Sequence, residues 1–175
     1  MNIVILTGAG ISAESGLGTF RDKDGIWTRY RIEDVATPEA SARNPALVHE
    51  FYNLRRQSLR AAVPNTGHLA LAELERRQNG GFLLVTKNVD DLHQRAGSQN
   101  VLAMHGELQN ARCDGCGYVW PAPDLMFPED RCARCGSSNQ SKYSLSASRA
   151  CADLAPRSAS LSLLSGVIPN KSNEE

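Results

Sequence analysis

The chain has no surplus of charge. Its 19 Lys and Arg balance 19 Asp and Glu, so no basic face points to nucleic acid and no acidic run points to a tail. It lacks any apolar stretch near the roughly 18 residues that a membrane span needs, so no membrane partner is expected. The opening MNIVILTGAG has neither a basic n-region nor a small-residue cleavage site, and it reads as a strand rather than a leader. A cytoplasmic protein is the expectation. There, the 5 cysteines point to metal binding or free thiols and away from disulfides. There is no internal repeat, which excludes solenoids and arrays.

What is present fits one domain, or one domain with an inserted module, in 175 residues. Asn2 to Leu6 is a β-branched run ending in the glycine turn TGAG, and it predicts a buried strand. The spacing in PALVHEFYNLRRQSLR predicts a helix over 45–60, with Asn44 as N-cap and Pro45 at the first helical position. GHLALAELERRQ predicts a second helix over 67–78, stopped by Asn79-Gly80-Gly81. Phe82 to Thr86 reads as another strand and Val101 to Met104 as a third. Strand, glycine turn, helices, strand is the pattern of an α/β parallel sheet. From residue 137 onward the character changes to 11 serines in 39 residues with no period, and Pro156 interrupts the one weak helical stretch. A disordered tail is expected there.

Cys113-x-x-Cys116 and Cys132-x-x-Cys135 form two knuckles separated by 15 residues. Four thiolates at this spacing fill the tetrahedron of a structural Zn²⁺. Free buried thiols are the weaker alternative. Asp114-Gly115 should tighten the first knuckle, and Gly117 and Gly136 follow the two knuckles. With four sulfurs bound the metal keeps no open position and should not activate water. Cys151 stands alone in the tail. His105, eight residues before Cys113, is then left over from the metal. It follows a strand and precedes Gly106, and strand ends are where α/β folds place their chemistry. A purely structural histidine stays open on spacing alone.

Gly8-Ala9-Gly10-Ile11-Ser12-Ala13 follows the first strand as G-x-G-x-x-A, the dinucleotide-binding spacing. Its usual second half is missing, because no strand ends in Asp or Glu about 20 residues on. An ordinary strand-to-helix turn is the plainer reading. SGLGTFRDKDGIW is polar, glycine-broken and aromatic-tipped, and reads as a loop able to fold over a ligand.

Taken in order, GAGISAESGLGTFRDKDGIW, TKNVDDLHQRAG, MHGEL and the paired knuckles resemble the sirtuins, NAD-dependent protein lysine deacylases, over residues 1 to about 136. The resemblance implies an α/β fold: a Rossmann-like parallel sheet with a small inserted zinc-ribbon module. It implies an NAD-binding part over 1–105, a zinc module over 106–139 and an atypical tail over 140–175. Gly8, Ala9, Gly10, Ser12, Ala13 and Glu14 match the phosphate-binding turn. Thr19, Phe20, Arg21 and Trp27 match the cofactor loop. Lys87, Asn88, Val89 and Asp90 fall in the nicotinamide stretch, with Asn88 and Asp90 lining its pocket. His105 matches the general base, and Cys113, Cys116, Cys132 and Cys135 match the zinc ligands. In this chemistry the acyl-lysine oxygen attacks the ribose C1′ as nicotinamide leaves. His105 accepts a proton from the ribose hydroxyls, a task suited to a group whose ordinary pKa is about 6.5. Lysine, nicotinamide and O-acyl-ADP-ribose result.

Tyr52 and Arg55 stand three apart on the first long helix, so they share a face. A phenol with a guanidinium suits a distal carboxylate. The pair resembles the Y-x-x-R of class III, desuccinylase-like sirtuins, which implies succinyl- and malonyl-lysine, besides acetyl-lysine, as substrates. Amphipathic helices also carry Tyr and Arg at this spacing for no such reason.

Two departures follow. The family's T-Q-N reads Thr86-Lys87-Asn88 here, which puts a cation where a ribose-hydroxyl partner is expected. And NQSKYSLSASRACADLAPRSASLSLLSGVIPNKSNEE does not resemble the family's continuation, which returns to the sheet and supplies a G-T-S turn. A frameshift or truncation after about residue 139 would explain it, and would leave the sheet incomplete at its C-terminal side with an apolar face uncovered. Two other readings compete with the enzyme: an impaired fragment that only binds zinc, and a zinc-ribbon interaction module over 106–136.

Overall fold

A computed structural model describes residues 1–18 and 29–137. The expected tail over 140–175, Cys151 included, lies outside the described residues. The elements run β1 (Ile3–Thr7), α1 (Ala9–Ala13), α2 (Ile32–Val35), α3 (Pro38–Arg43), α4 (Pro45–Ala61), α5 (Thr66–Arg77), β2 (Phe82–Thr86), α6 (Leu92–Arg95), β3 (Val101–Ala103), β4 (Asn110–Arg112) and β5 (Val119–Pro121). The first three strands form a parallel sheet in the order β1-β2-β3. Ile3 pairs with Phe82 and Thr7 with Thr86, so β1 and β2 end level with each other. β4 and β5 form a separate antiparallel hairpin with Ala111 opposite Trp120.

The helices start where side-chain oxygens can satisfy their first amides. Asn44 accepts from the Leu47 N–H (3.2 Å) ahead of Pro45. Asn65 accepts from the Gly67 and His68 amides, and the His68 ring accepts back from the Asn65 N–H. This reciprocal cap sets α5 to begin at Thr66. The Asn65 side chain also donates to the Ile11 carbonyl (2.7 Å) and Ser15 Oγ (3.0 Å), which pins α5 to the turn after β1. Past α5, a Cβ at Gly80 would lie 2.2 Å from the Met1 carbonyl oxygen, so glycine is required there by close approach.

Long helices and strands thus fall within a residue or so of their expected bounds. The short helices α1, α2, α3 and α6 and the β4–β5 hairpin were not signalled, because elements of three to six residues carry no usable period. The core gathers Val35, Phe51, Leu59, Leu92, Leu108 and Met126 between α4 and the chain beyond β3. On β1, Val4 and Leu6 remain 61% and 62% exposed. Parallel sheets usually bury both faces, whereas these two apolar side chains on one face of β1 are exposed. Among the described residues no helix is long and apolar enough to cross a membrane.

Candidate active site and metal centre

Parallel strands of equal register bring their C-terminal ends together, and the candidate site stands there. The Lys87 N–H donates to the Thr7 carbonyl (3.0 Å), joining the turn after β2 to the end of β1. Gly8 caps α1 with φ −152°, so extended backbone rather than strain occupies that position. A Cβ at Gly8 or Gly10 would meet nothing within 4 Å among the described residues. Neither packing nor backbone conformation requires glycine at these two positions. The open space before them is what close approach of a phosphate needs, so the turn fits the dinucleotide it was expected to hold.

Beneath the turn lies a closed polar network. Ser12 Oγ donates to Asp90 Oδ2 (3.0 Å) and accepts from Asn88 Nδ2 (2.9 Å). His68 Nε2 stands 3.4 Å from the same oxygen. Because His68 Nδ1 accepts from the Asn65 N–H (3.3 Å), its proton sits on Nε2 and points to Ser12. The other Asp90 oxygen accepts from the Leu92 N–H (3.2 Å) and starts α6. Ser12, His68, Asn88 and Asp90 are all buried, so the network is a fixed set of mutually satisfied polar groups beneath the strand ends. The Ser12 hydroxyl is spent within the protein. What the turn presents to a ligand is backbone, with Ala13 and Glu14 exposed at its far end.

His68 and His93 were not singled out from the sequence. Their rings pack at a tilt of 59° with centroids 4.8 Å apart, and His93 Nε2 lies 3.1 Å from Thr7 Oγ1. The Asn65-x-x-His68 capping spacing was a usable signal for the first. Nothing local marked the second. Burial first, then the neighbouring His68, pushes His93 down to about 4, against a smaller opposing pull from Asp90. The sign follows. Folded His93 stays neutral to about pH 4, whereas in the unfolded chain it gains a proton near its ordinary 6.5. Stability is therefore whole above about pH 6.5 and falls as pH drops towards 4. At pH 4.5 the cost is on the order of 2 kcal/mol. Urea unfolding of His93→Gln at pH 7 and 4.5 is expected to show that much less acid sensitivity than the parent. Equal acid sensitivity in the two proteins would refute the assignment.

The other expected residues divide by position. Tyr52 is buried on α4, and Arg55 is half-buried with its guanidinium carbon 6.0 Å from the Tyr52 ring centre. Burial pushes Arg55 down, while Tyr52 and Asp90 pull it up. The guanidinium is thus close enough to the strand-end network to feel Asp90. Burial likewise pushes Tyr52 up. Val89 is buried, with its carbonyl accepting from the Leu108 N–H (2.8 Å). Lys87 is exposed at the end of β2. His105 is exposed in the turn after β3, before Gly106 at φ 77°. Thr19, Phe20, Arg21 and Trp27 lie outside the described residues.

The four cysteine sulfurs lie within 4.8 Å of one another. Cys113 to Cys135 is 3.6 Å and Cys116 to Cys132 is 3.7 Å. A disulfide requires about 2.05 Å, whereas a tetrahedron with metal–sulfur bonds of about 2.3 Å has edges of about 3.8 Å. The sulfurs therefore fit a tetrahedral metal ion, and among the described residues His105 is not in the group. The knuckles repeat one geometry. Gly117 N–H donates to the Cys113 carbonyl and Gly136 N–H to the Cys132 carbonyl, each at 2.8 Å, with φ of 70° and 69°. Glycine is needed at these two positions for the left-handed backbone. At Gly115 a Cβ would lie 3.2 Å from Ser137 Oγ, a tight approach to a side chain. The Ser137 hydroxyl holds the Cys113 thiol down to about 6 and also lowers Cys135. The Tyr118 backbone favours the Cys116 thiolate, but burial and the surrounding sulfurs outweigh it and push that thiol to about 12. Four thiolates this close need a cation to ionise together.

A family model described as the Sir2 family matches residues 8–152. The NAD-dependent protein deacylase of Caulobacter vibrioides is 55% identical over 138 residues, which is 77% of this chain and 58% of that protein. The protein of the same name from Bdellovibrio bacteriovorus is 60% identical over 139 residues, again 77% and 58%. A solved Sir2 homologue in complex with NAD superimposes with a TM-score of 0.69 at 46% identity, covering 77% of this chain and 54% of that one. This chain spans a little over half the length of these relatives. The match takes in the glycine turn, the strand-end network and both cysteine knuckles, and on that evidence the chain belongs to the Sir2, or sirtuin, family.

Proposed function

We propose that the chain carries out NAD-dependent removal of acyl groups from protein lysines in the cytoplasm, with a preference for succinyl and malonyl over acetyl. NAD would supply the ribose carbon that accepts the acyl oxygen. The turn over Gly8–Gly10 would receive its phosphates, Asn88 and Asp90 would line the nicotinamide pocket, and His105 would take the ribose proton. Cys113, Cys116, Cys132 and Cys135 would hold one structural zinc.

The observation that carries the acyl preference is Arg55. Its guanidinium is half-buried beside the Tyr52 phenol and within electrostatic reach of Asp90. A carboxylate at the far end of an acyl chain would offset the desolvation of that cation. The test is nicotinamide release with matched succinyl- and acetyl-lysine peptides. A charge-assisted hydrogen bond of about 1.5–3 kcal/mol predicts a succinyl preference in kcat/KM of about tenfold or more. Equal rates would remove the acyl assignment.

A second reading is a metal-holding sirtuin piece without turnover, and the exposed Val4 and Leu6 favour it. Stoichiometric zinc without heat of NAD binding in calorimetry would select it.

Lys87 bears on rate. A cation about 5 Å from an oxocarbenium-like centre costs on the order of 3 kcal/mol at an effective dielectric near 20, or roughly a hundredfold. Lys87→Gln is therefore expected to raise kcat by up to that factor. Unchanged turnover in a variant that binds NAD would show that the lysine points elsewhere during reaction.

A further inference from the structure

Helix α4 is buried along two adjoining stripes. Val48, Tyr52, Arg55 and Leu59 recur at i, i+4, i+7 and i+11, and they carry the pocket pair. His49, Asn53, Arg56 and Arg60 recur at the same intervals one residue on. The first three of this second stripe are buried although polar. Their burial is explained by the segment between the two cysteine knuckles. The Asn53 amide donates to the Met126 carbonyl (3.0 Å) and its oxygen accepts from the Met126 N–H (3.0 Å), so one side chain satisfies both polar groups of one peptide residue. Arg56 donates to Asn53 Oδ1 and, at 3.5 Å, to the Asp124 carbonyl. Arg60 pairs with the Asp124 carboxylate. Burial and then Arg56 push His49 down, against a smaller upward pull from Asp130 and Glu129 in that segment. Met126 itself is 1% exposed and packs in the same core as Phe51 and Tyr52.

We propose that Asn53 is a positioning residue for acyl selection. Its clip to Met126 fixes the rotation of α4, and that rotation sets where Tyr52 and Arg55 stand. A turn of the helix that broke the clip would swing both side chains together, because positions 52, 53 and 55 share one rigid turn. The segment is held at both ends by the sulfur cluster, through Cys116 and Cys132, so the knuckles stiffen the clip from behind. The proposal rests on the acyl-pocket reading given above.

The test uses the full chain with Asn53→Leu, which removes both hydrogen bonds at similar volume, and Asn53→Asp, which keeps the acceptor and loses the donor. KM for a succinyl-lysine peptide is expected to rise about tenfold in Asn53→Leu. It should rise less in Asn53→Asp, with acetyl-lysine kinetics within about twofold of the parent in both. A merely structural role would lower both activities together. An unchanged succinyl-to-acetyl ratio, or a common loss of both, overturns the proposal. If Asn53→Leu does not fold, the ratio in Asn53→Asp decides. If the parent turns over no acyl peptide, the deacylase reading fails by itself. Hydrogen exchange then judges the clip: faster exchange over residues 48–59 in Asn53→Leu supports it, and unchanged exchange overturns it.

Discussion

Cys132→Ser is expected to cost the chain its metal and to unfold the region after β3. Cys113 and Cys132 are the inner pair of the cluster, 0% and 2% exposed, and serine is a poor ligand for a soft site. Structural zinc in finger peptides is worth about 10–16 kcal/mol, against about 5–15 kcal/mol for the whole stability of a typical domain. Its own secondary structure among the described residues is one hairpin of three-residue strands. Unfolding should not stop there, because Leu108, Ala111 and Met126 belong to the core that packs against α4. Metal analysis should find one zinc per parent chain and far less in the variant. Thermal unfolding of the parent should drop to the variant's curve after chelation. A parent whose melting curve is the same with and without metal would sink the assignment of the cluster as structural.

His105→Ala should behave in the opposite way. The side chain is exposed in a turn and outside the sulfur group, so its loss should shift stability by no more than about 0.5 kcal/mol. As a general base it should supply about 10²–10⁴ in rate. Steady-state formation of O-acyl-ADP-ribose is expected to fall by that factor, with zinc content and melting temperature unchanged. Tetrahedral cobalt in place of zinc should give the same sulfur-only spectrum in parent and variant. A spectrum altered by the substitution would place the imidazole on the metal and overturn its role as base.

Some of this molecule could be read directly from the chain. Cys-x-x-Cys repeated at a 15-residue interval is short-range chemistry, and thiolates so spaced have few other uses. Helix α4 was legible because Asn44 and Pro45 act within a turn of where they stand, and α5 because GHLALAELERRQ ends at Asn79-Gly80-Gly81. The strand-end network was not. Ser12 meets His68 across 56 residues and Asp90 across 78, and His93 reaches Thr7 across 86. No window of sequence contains such a pair. The glycines show the same limit. Gly115 stands close to Ser137, which lies 22 residues on, and it is Gly117 that takes the left-handed backbone.

The sequence by itself determined the four cysteines that can hold a metal, the family and the position of the glycine turn, because each is a property of neighbours along the chain. Only the tertiary structure decided that Ser12 is spent on Asp90, Asn88 and His68, and that a polar stripe of α4 is buried against residues 124–130. The physical reason is that burial and long-range hydrogen bonding belong to surfaces brought together by folding. A side chain's partner there is set by the packing of whole elements and by no period that its own segment carries.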